Sequence, residues 1–146
     1  MKIVIIAVGR VKERAMRAVL DDYLGRVKRY AKVEEIELKD MPSGQLIERF
    51  RRRLDHGGRT VALEVEGKPW SSQDLSAEVE RCQLHSVPAL SFLIGGSYGL
   101  PAEVSRAADA RFSLGRITLP HRLARVVLAE QIYRAFTILR GEPYSH

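Results

Sequence analysis

Apolar runs that fit β-strands recur along the chain, and stretches with helical spacing separate them. Residues 3–8 form a continuous, mainly β-branched run, which is typical of a strand buried on both faces. Residues 33–38 alternate apolar and charged positions, as a half-exposed strand does. The other predicted extended segments are 60–65, 88–94, 112–114 and 117–119.

Helical spacing is clearest in residues 11–30, where apolar side chains recur three and four positions apart. The other predicted helices span 43–56, 71–84, 101–110 and 122–139, and Ser71 or Ser72 can cap the third helix. Strands alternating with helices predict an α/β fold with a mainly parallel sheet. Because no linker, repeat or low-complexity tract interrupts residues 1–146, we expect a single domain with its ligand site at the carboxyl ends of the strands.

Composition adds a basic balance to this picture. The 146 residues include 24 Lys and Arg against 18 Asp and Glu, a formal net charge of +6. This excess favours a polyanionic partner such as nucleic acid.

The single cysteine, Cys82, cannot form an internal disulfide, which fits a reducing compartment. No apolar segment approaches the roughly 20 residues that cross a bilayer, and 3–8 is too short for a signal peptide, so we expect a cytoplasmic protein with no membrane contact.

Three glycines at the end of the fourth predicted strand form the first candidate site. The stretch FLIGGSYGL, residues 92–100, contains Gly95, Gly96 and Gly99. Their spacing is neither the G-x-G-x-x-G of dinucleotide-binding folds nor a P-loop. Such a corner either makes a tight turn or lets a ligand approach the backbone beside a helix start. The residues alone leave both interpretations open.

A second corner, residues 113–121, ends in Pro120 and His121, where the last helix begins. By itself, His121 is either structural or catalytic. Residues 126–129 are all apolar, which predicts a helix buried on every side, between the sheet and a second subunit. Glu130 and Arg134 stand four apart and can form an ion pair. The aromatic tail, with Tyr144 and His146, is either disordered or reaches into a site.

Several of these stretches resemble one family. LIGGSYGL, SLGRITLPH and RVVLAEQIYRAFTILRGEPY are similar, in order and spacing, to the C-terminal half of the knotted methyltransferases of the SPOUT class. IIAVGRVK, DDYLGRVKRY and VALEVEGKPWSS extend the resemblance over nearly the whole chain. Within the class, the chain most resembles the ribosomal RNA large subunit methyltransferase H family.

The resemblance implies a SPOUT-type sheet with a deep C-terminal trefoil knot, the knot and cofactor site lying in about residues 88–146. It also implies that S-adenosyl-L-methionine binds bent in the knot, and that the enzyme methylates N3 of a pseudouridine in 23S rRNA on assembled ribosomes. Carried over by position, the cofactor-binding residues are Leu63, Gly96, Gly115, Arg116, Ile117, Thr118, Leu119 and Pro120.

The methyl donor is an electrophile in its own right, so no metal is expected. The N3 proton of a uracil-type ring must leave, which calls for a base or a group that stabilises the anion. The candidate catalytic residues are His121, Glu130, Arg134 and Tyr144. Arginine does not act as a base at ordinary pH, so Arg134 would stabilise charge or hold phosphate, and His121 is the titratable candidate near neutrality.

The tail departs from the family pattern. The family usually ends in a sequence like Asn-His-Pro-Tyr-His-Arg, whereas this chain keeps Tyr144 and continues with Ser145 and His146.

We expect a homodimer in which one subunit holds the cofactor and the other presents 23S rRNA within the ribosome. The alternatives are a knotted methyltransferase of another base, in tRNA or elsewhere in rRNA, and a non-catalytic RNA-binding dimer.

Overall fold

The structure, a computed structural model, describes residues 1–145; the predicted tail residue His146 lies outside this range. Strands and helices alternate along the chain. The strands are β1 (Lys2–Val8), β2 (Lys32–Leu38), β3 (Arg59–Pro69), β4 (Ala89–Ile94) and β5 (Ala110–Ser113). The helices are α1 (Arg14–Val27), α2 (Ser43–Arg53), α3 (Ser72–Leu84), α4 (Ala102–Ala107) and α5 (His121–Arg140).

The strands form one parallel sheet in the order β2-β1-β4-β3-β5, which confirms the predicted fold class. The inner strands β1 and β4 carry the longest apolar runs, and every residue of β4 is buried. β2 is an edge strand, in agreement with its alternating pattern. The trefoil knot stays a prediction.

Several sequence-based bounds were wrong; the helix predicted over 101–110, for example, is α4 (Ala102–Ala107), and Ala110 already belongs to β5. Residues 117–119 form a loop instead of a strand, because they lie beyond β5 and make no backbone–backbone hydrogen bond within residues 1–145. β3 continues to Pro69, past the predicted end of this strand at residue 65, because a register shift after Leu63 lets Lys68 and Pro69 pair with β5 again. Trp70 then stacks on Phe112 of β5, with 4.8 Å between ring centroids.

Helices cover both faces of the sheet. α1, α3 and α5 pack on one face, where Leu20, Leu75, Leu90 and Leu128 are at most 1% exposed. α2 and α4 pack on the other face, around Phe50. Ser71 caps α3 in a reciprocal box with Asp74, which settles the choice between the two predicted serines.

Helix α5 is less uniformly buried than its sequence predicts. Leu128, Ala129 and Ile132 are inaccessible, whereas Val126 is half-buried and Leu123 is 39% exposed. The partly open side is the one a second subunit would cover; that dimer stays a prediction. Among residues 1–145, no helix is both long and apolar enough to cross a membrane.

We predict that Leu128→Ala lowers the free energy of unfolding by about 2–5 kcal/mol, because it leaves a cavity in a closed core. Leu84→Ala makes the same change on a side chain that is 73% exposed, and we expect it to cost about 0.5 kcal/mol or less. Urea unfolding of the two variants measures the difference. Equal losses would contradict the assignment of the core.

Candidate active site

A cleft lies at the carboxyl ends of β3, β4 and β5, at the sheet edge expected for ligands. Its volume is about 580 Å³, within the range of pockets that hold drug-sized ligands. Seven of the eight residues expected from the resemblance line it: Leu63, Gly96, Gly115, Ile117, Thr118, Leu119 and Pro120. Arg116 lies in the same loop with an exposed side chain, outside the lining. Their role as cofactor contacts stays a prediction.

The glycine corner forms one wall of the cleft. A Cβ atom on Gly95 would lie 2.2 Å from the carbonyl carbon of Gly99, so the corner closes only with glycine at position 95. The Gly99 N–H donates to the Gly96 carbonyl at 3.0 Å, and Gly99 has a φ of 79°, a conformation that favours glycine. A Cβ on Gly96 would come within 3.1 Å of Val8. The corner therefore presents bare backbone to the cleft.

The opposite wall is the loop of residues 114–120, held at its base by Ser113. The Ser113 hydroxyl lies 2.9 Å from the Val65 carbonyl and 2.8 Å from the Gly115 carbonyl, and it accepts from the Gly115 N–H at 3.1 Å. Beyond Gly115, residues 116–119 make no hydrogen bond to another part of residues 1–145. Ile117 is 80% exposed. The loop thus offers free peptide groups and an apolar side chain to a ligand.

His121 is the first residue of α5 and lines the cleft. Its imidazole packs against the β1–α1 loop, where a Cβ on Gly9 would come within 3.2 Å of the ring. Its Nδ1 is buried and has no hydrogen-bond partner within residues 1–145. Burial, followed by the charges of Arg122 and Arg125, lowers the pKa of His121 below its usual 6.5. The imidazole is therefore neutral at pH 7 and can accept a proton.

Arg125, one helical turn after His121, is completely buried, and sequence reasoning missed it. One of its guanidinium nitrogens lies 2.9 Å from Glu35 and 2.5 Å from Glu37, and the other donates to the Gly9 carbonyl at 2.9 Å. Arg17 also pairs with Glu35. The network ties the first turns of α5 to β2 and to the loop against which His121 packs.

A second cluster joins Glu130, Arg134 and Tyr144. The predicted ion pair is confirmed at 3.1 Å, and the Tyr144 hydroxyl donates to Glu130 at 2.9 Å. The Arg134 guanidinium lies over the Tyr144 ring, 4.9 Å from its centroid. Burial, then hydrogen bonds with Tyr23 and Glu130, raise the pKa of Tyr144 well above its usual 10. The tail is thus folded onto α5 as far as Tyr144.

The structure does not bring this cluster to the cleft of its own chain. Glu130 lies nine residues after His121 on one helix, a rise of about 13.5 Å, and none of the cluster lines the cleft. The catalytic roles of all four residues stay predictions. Among residues 1–145, no three His, Cys, Asp or Glu side chains are grouped as metal ligands.

The fold is α/β, with a cleft of ligand size between the glycine corner and the 114–120 loop, and its glycine spacing matches neither the dinucleotide-binding motif nor a P-loop. The family model described as "Predicted SPOUT methyltransferase" matches residues 1–146, and the chain belongs to this SPOUT methyltransferase family.

Relatives named "Ribosomal RNA large subunit methyltransferase H" align over the full chain. The one from Sorangium cellulosum is 49% identical, over 100% of both chains. The one from Geobacter sulfurreducens is 42% identical, also over 100% of both.

Solved structures share the fold at low identity. A TrmH/SpoU tRNA modifying enzyme from A. aeolicus is 12% identical with a TM-score of 0.51, covering 95% of this chain and 77% of that one. A putative methyltransferase from Legionella pneumophila, solved with bound SAM, is 12% identical with a TM-score of 0.50, covering 92% and 66%.

We predict that Arg125→Met lowers the free energy of unfolding by about 3–5 kcal/mol, because it leaves the carboxylates of Glu35 and Glu37 without their buried partner. The matched change Arg26→Met breaks a surface ion pair with Asp22 and should cost about 1 kcal/mol or less. Chemical unfolding of both variants provides the comparison. An Arg125→Met protein as stable as the Arg26→Met protein would refute the network's role.

Proposed function

We propose that this chain is an S-adenosyl-L-methionine-dependent rRNA methyltransferase that transfers a methyl group to N3 of a pseudouridine in 23S rRNA within the ribosome. The observation that carries the proposal is the cleft between the glycine corner and the 114–120 loop, in a chain matched end to end by relatives named as large subunit methyltransferases. The Legionella neighbour with bound SAM supports the choice of cofactor.

The residues of the cleft fit this cofactor. Adenine needs flat apolar contact and hydrogen bonds along its edge. Leu63, Ile117 and Leu119 supply the contact, and the free peptide groups of residues 116–119 supply donors and acceptors. The glycine corner faces the remainder of the molecule with backbone alone. When bound, S-adenosyl-L-methionine supplies the methyl group as an electrophilic sulfonium, which needs no metal.

The chain's own residues then have to orient the acceptor and remove its proton. His121 lines the cleft and is neutral at pH 7, so it can take the N3 proton as the nitrogen attacks the methyl group. Arg125 ties the helix turn that carries this imidazole to the β1–α1 loop on which the imidazole packs. Holding the two reactants in line supplies the rest of the catalysis.

In this proposal, the cluster of Glu130, Arg134 and Tyr144 acts on the cleft of the other subunit of a homodimer. Glu130 and Arg134 lie about 13.5 Å or more along α5 from His121, the Tyr144 hydroxyl contacts Glu130, and none of the three lines the cleft of its own chain. A second copy packed on the half-open side of α5 would bring its own cluster towards the cleft. Arg134, whose pKa is raised first by its hydrogen bond to Glu130, stays charged and can stabilise an anionic acceptor.

The test is a transfer assay with methyl-labelled S-adenosyl-L-methionine and three unmodified acceptors: whole ribosomes, isolated large subunits and bulk tRNA. We expect label in 23S rRNA of whole ribosomes, mapped to N3 of a pseudouridine. Label found only in tRNA would contradict the rRNA target and favour a knotted methyltransferase that acts on a tRNA base. Cofactor binding without any transfer would favour the non-catalytic RNA-binding alternative.

Gly95→Ala should abolish the cofactor site while Gly44→Ala leaves it intact. A Cβ at position 95 collides with the Gly99 backbone, whereas a Cβ at position 44 meets nothing within 4 Å. We expect S-adenosyl-L-methionine to bind Gly95→Ala at least about tenfold more weakly, a loss of about 1.4 kcal/mol, measured by calorimetry. Wild-type affinity in a folded Gly95→Ala protein would argue against the corner as the cofactor wall.

The rate of methyl transfer should depend on the protonation of His121. Because its folded-state pKa lies below 6.5, the neutral imidazole persists at mildly acidic pH, and the rate should fall only below pH 6.5. His121→Gln, which does not titrate, should be slower by about 10²–10⁴-fold and should lack this acidic fall. A pH–rate profile of single turnovers on ribosomes measures both effects. An unchanged rate in His121→Gln would remove His121 as the base.

A further inference from the structure

A second hollow of about 450 Å³ lies on the other side of the glycine corner, and most of its lining lies outside the proposed cofactor site. It shares Gly96, Gly99 and Leu100 with the main cleft. Its other wall is the segment from Asp40 into the first turn of α2. Tyr98 projects from the corner beside it with 96% of its side chain exposed.

The helix that begins at this hollow carries an unusual concentration of positive charge. α2 ends in Arg49, Arg51, Arg52 and Arg53, all exposed. Four arginines and the single Glu48 give the helix a formal charge of +3, half of the +6 of the whole chain. Arg52 pairs with Glu48 at 3.4 Å. Arg49 and Arg53 form no ion pair within residues 1–145.

Packing does not account for these side chains. The helix is anchored by Leu46 and Phe50, which face the core, while the guanidinium groups point to solvent. Arg49 stands three and four residues from Arg52 and Arg53, and like charges at these spacings destabilise a helix. The helix dipole stabilises cations in the last turn only modestly, so it does not explain the presence of four arginines. A surface that concentrates four arginines, two of them (Arg49 and Arg53) without an ion-pair partner within residues 1–145, fits an external polyanion.

We propose that Arg49, Arg52 and Arg53, the α2 basic face, bind the phosphate backbone of the RNA, and that Tyr98 stacks on a base beside the target nucleotide. The inference rests on the proposed function and adds a path for the RNA. The RNA strand runs along α2 to the hollow, so that its target nucleotide lies across the glycine corner, in the cleft. Arginine suits phosphate because its planar fork binds two oxygens. An exposed aromatic ring is the usual platform for an unstacked RNA base.

The first experiment compares two triple variants of equal charge loss. In Arg49→Gln/Arg52→Gln/Arg53→Gln the basic face is removed. In the control, Lys28→Gln/Arg29→Gln/Lys32→Gln, three exposed cations are removed near the end of α1 and the start of β2, on the opposite face of the sheet. Affinity for unmethylated ribosomes is measured over a range of salt concentrations, and S-adenosyl-L-methionine binding is measured alongside.

We expect the α2 variant to bind ribosomes at least about tenfold more weakly and to lower the slope of log K against log salt by about 2 to 2.7, while its cofactor affinity is unchanged. The control should bind nearly as the wild type does. Equal, small losses in both variants would overturn the inference and leave the proposed function standing. A wild-type protein that neither binds nor methylates ribosomes would overturn both.

The second experiment isolates Tyr98. Tyr98→Phe keeps the aromatic face, and Tyr98→Ala removes it. We expect Tyr98→Ala to raise the KM for ribosomes by about 5-fold or more, since stacking on one aromatic ring contributes about 1–3 kcal/mol, with Tyr98→Phe close to the wild type. Equal KM values for Tyr98→Ala and the wild type would exclude Tyr98 from the RNA contact.

Discussion

The backbone at Gly95 passes so close to the peptide that joins Gly99 and Leu100 that no side chain fits between them. This contact closes the corner at the carboxyl end of β4, the innermost apolar strand. Because the corner is narrow, a cleft remains on one side of it and a hollow on the other. The proposed cofactor site and the proposed RNA path both depend on this close contact between the backbone at Gly95 and the backbone at Gly99 and Leu100.

Arg125, buried in the second turn of α5, provides the second constraint. Its buried guanidinium joins α5 to the end of β2 and to the carbonyl of Gly9. A buried charge of this kind stabilises a fold only when carboxylates and carbonyls saturate it, and here Glu35, Glu37 and Gly9 supply most of those partners. The consequence is that the first turn of α5, with His121, and the β1–α1 loop on which its imidazole packs are tied to each other and to β2.

The sequence predicted the parallel sheet and most of its strands and helices, because these follow from apolar runs and helical spacing, while the place of the ligand site stays a prediction. The loop at 117–119 was taken for a strand because Ile117 is apolar, yet its side chain is exposed beside the cleft. The partners of Arg125 lie 90 and 88 residues away and become neighbours only through the strand order. Family resemblance supplied the cofactor residues, and periodicity alone would have left the glycine corner ambiguous.

The central claim is that the glycine corner and the 114–120 loop together hold S-adenosyl-L-methionine. The most direct measurement is a titration of the ¹⁵N-labelled protein with this cofactor, followed residue by residue in the amide spectrum. The account predicts that the largest shifts fall on Gly96, Gly115, Ile117 and Leu119, with little change at the α2 basic face. Saturable shifts centred elsewhere, or no shifts at all, would contradict it.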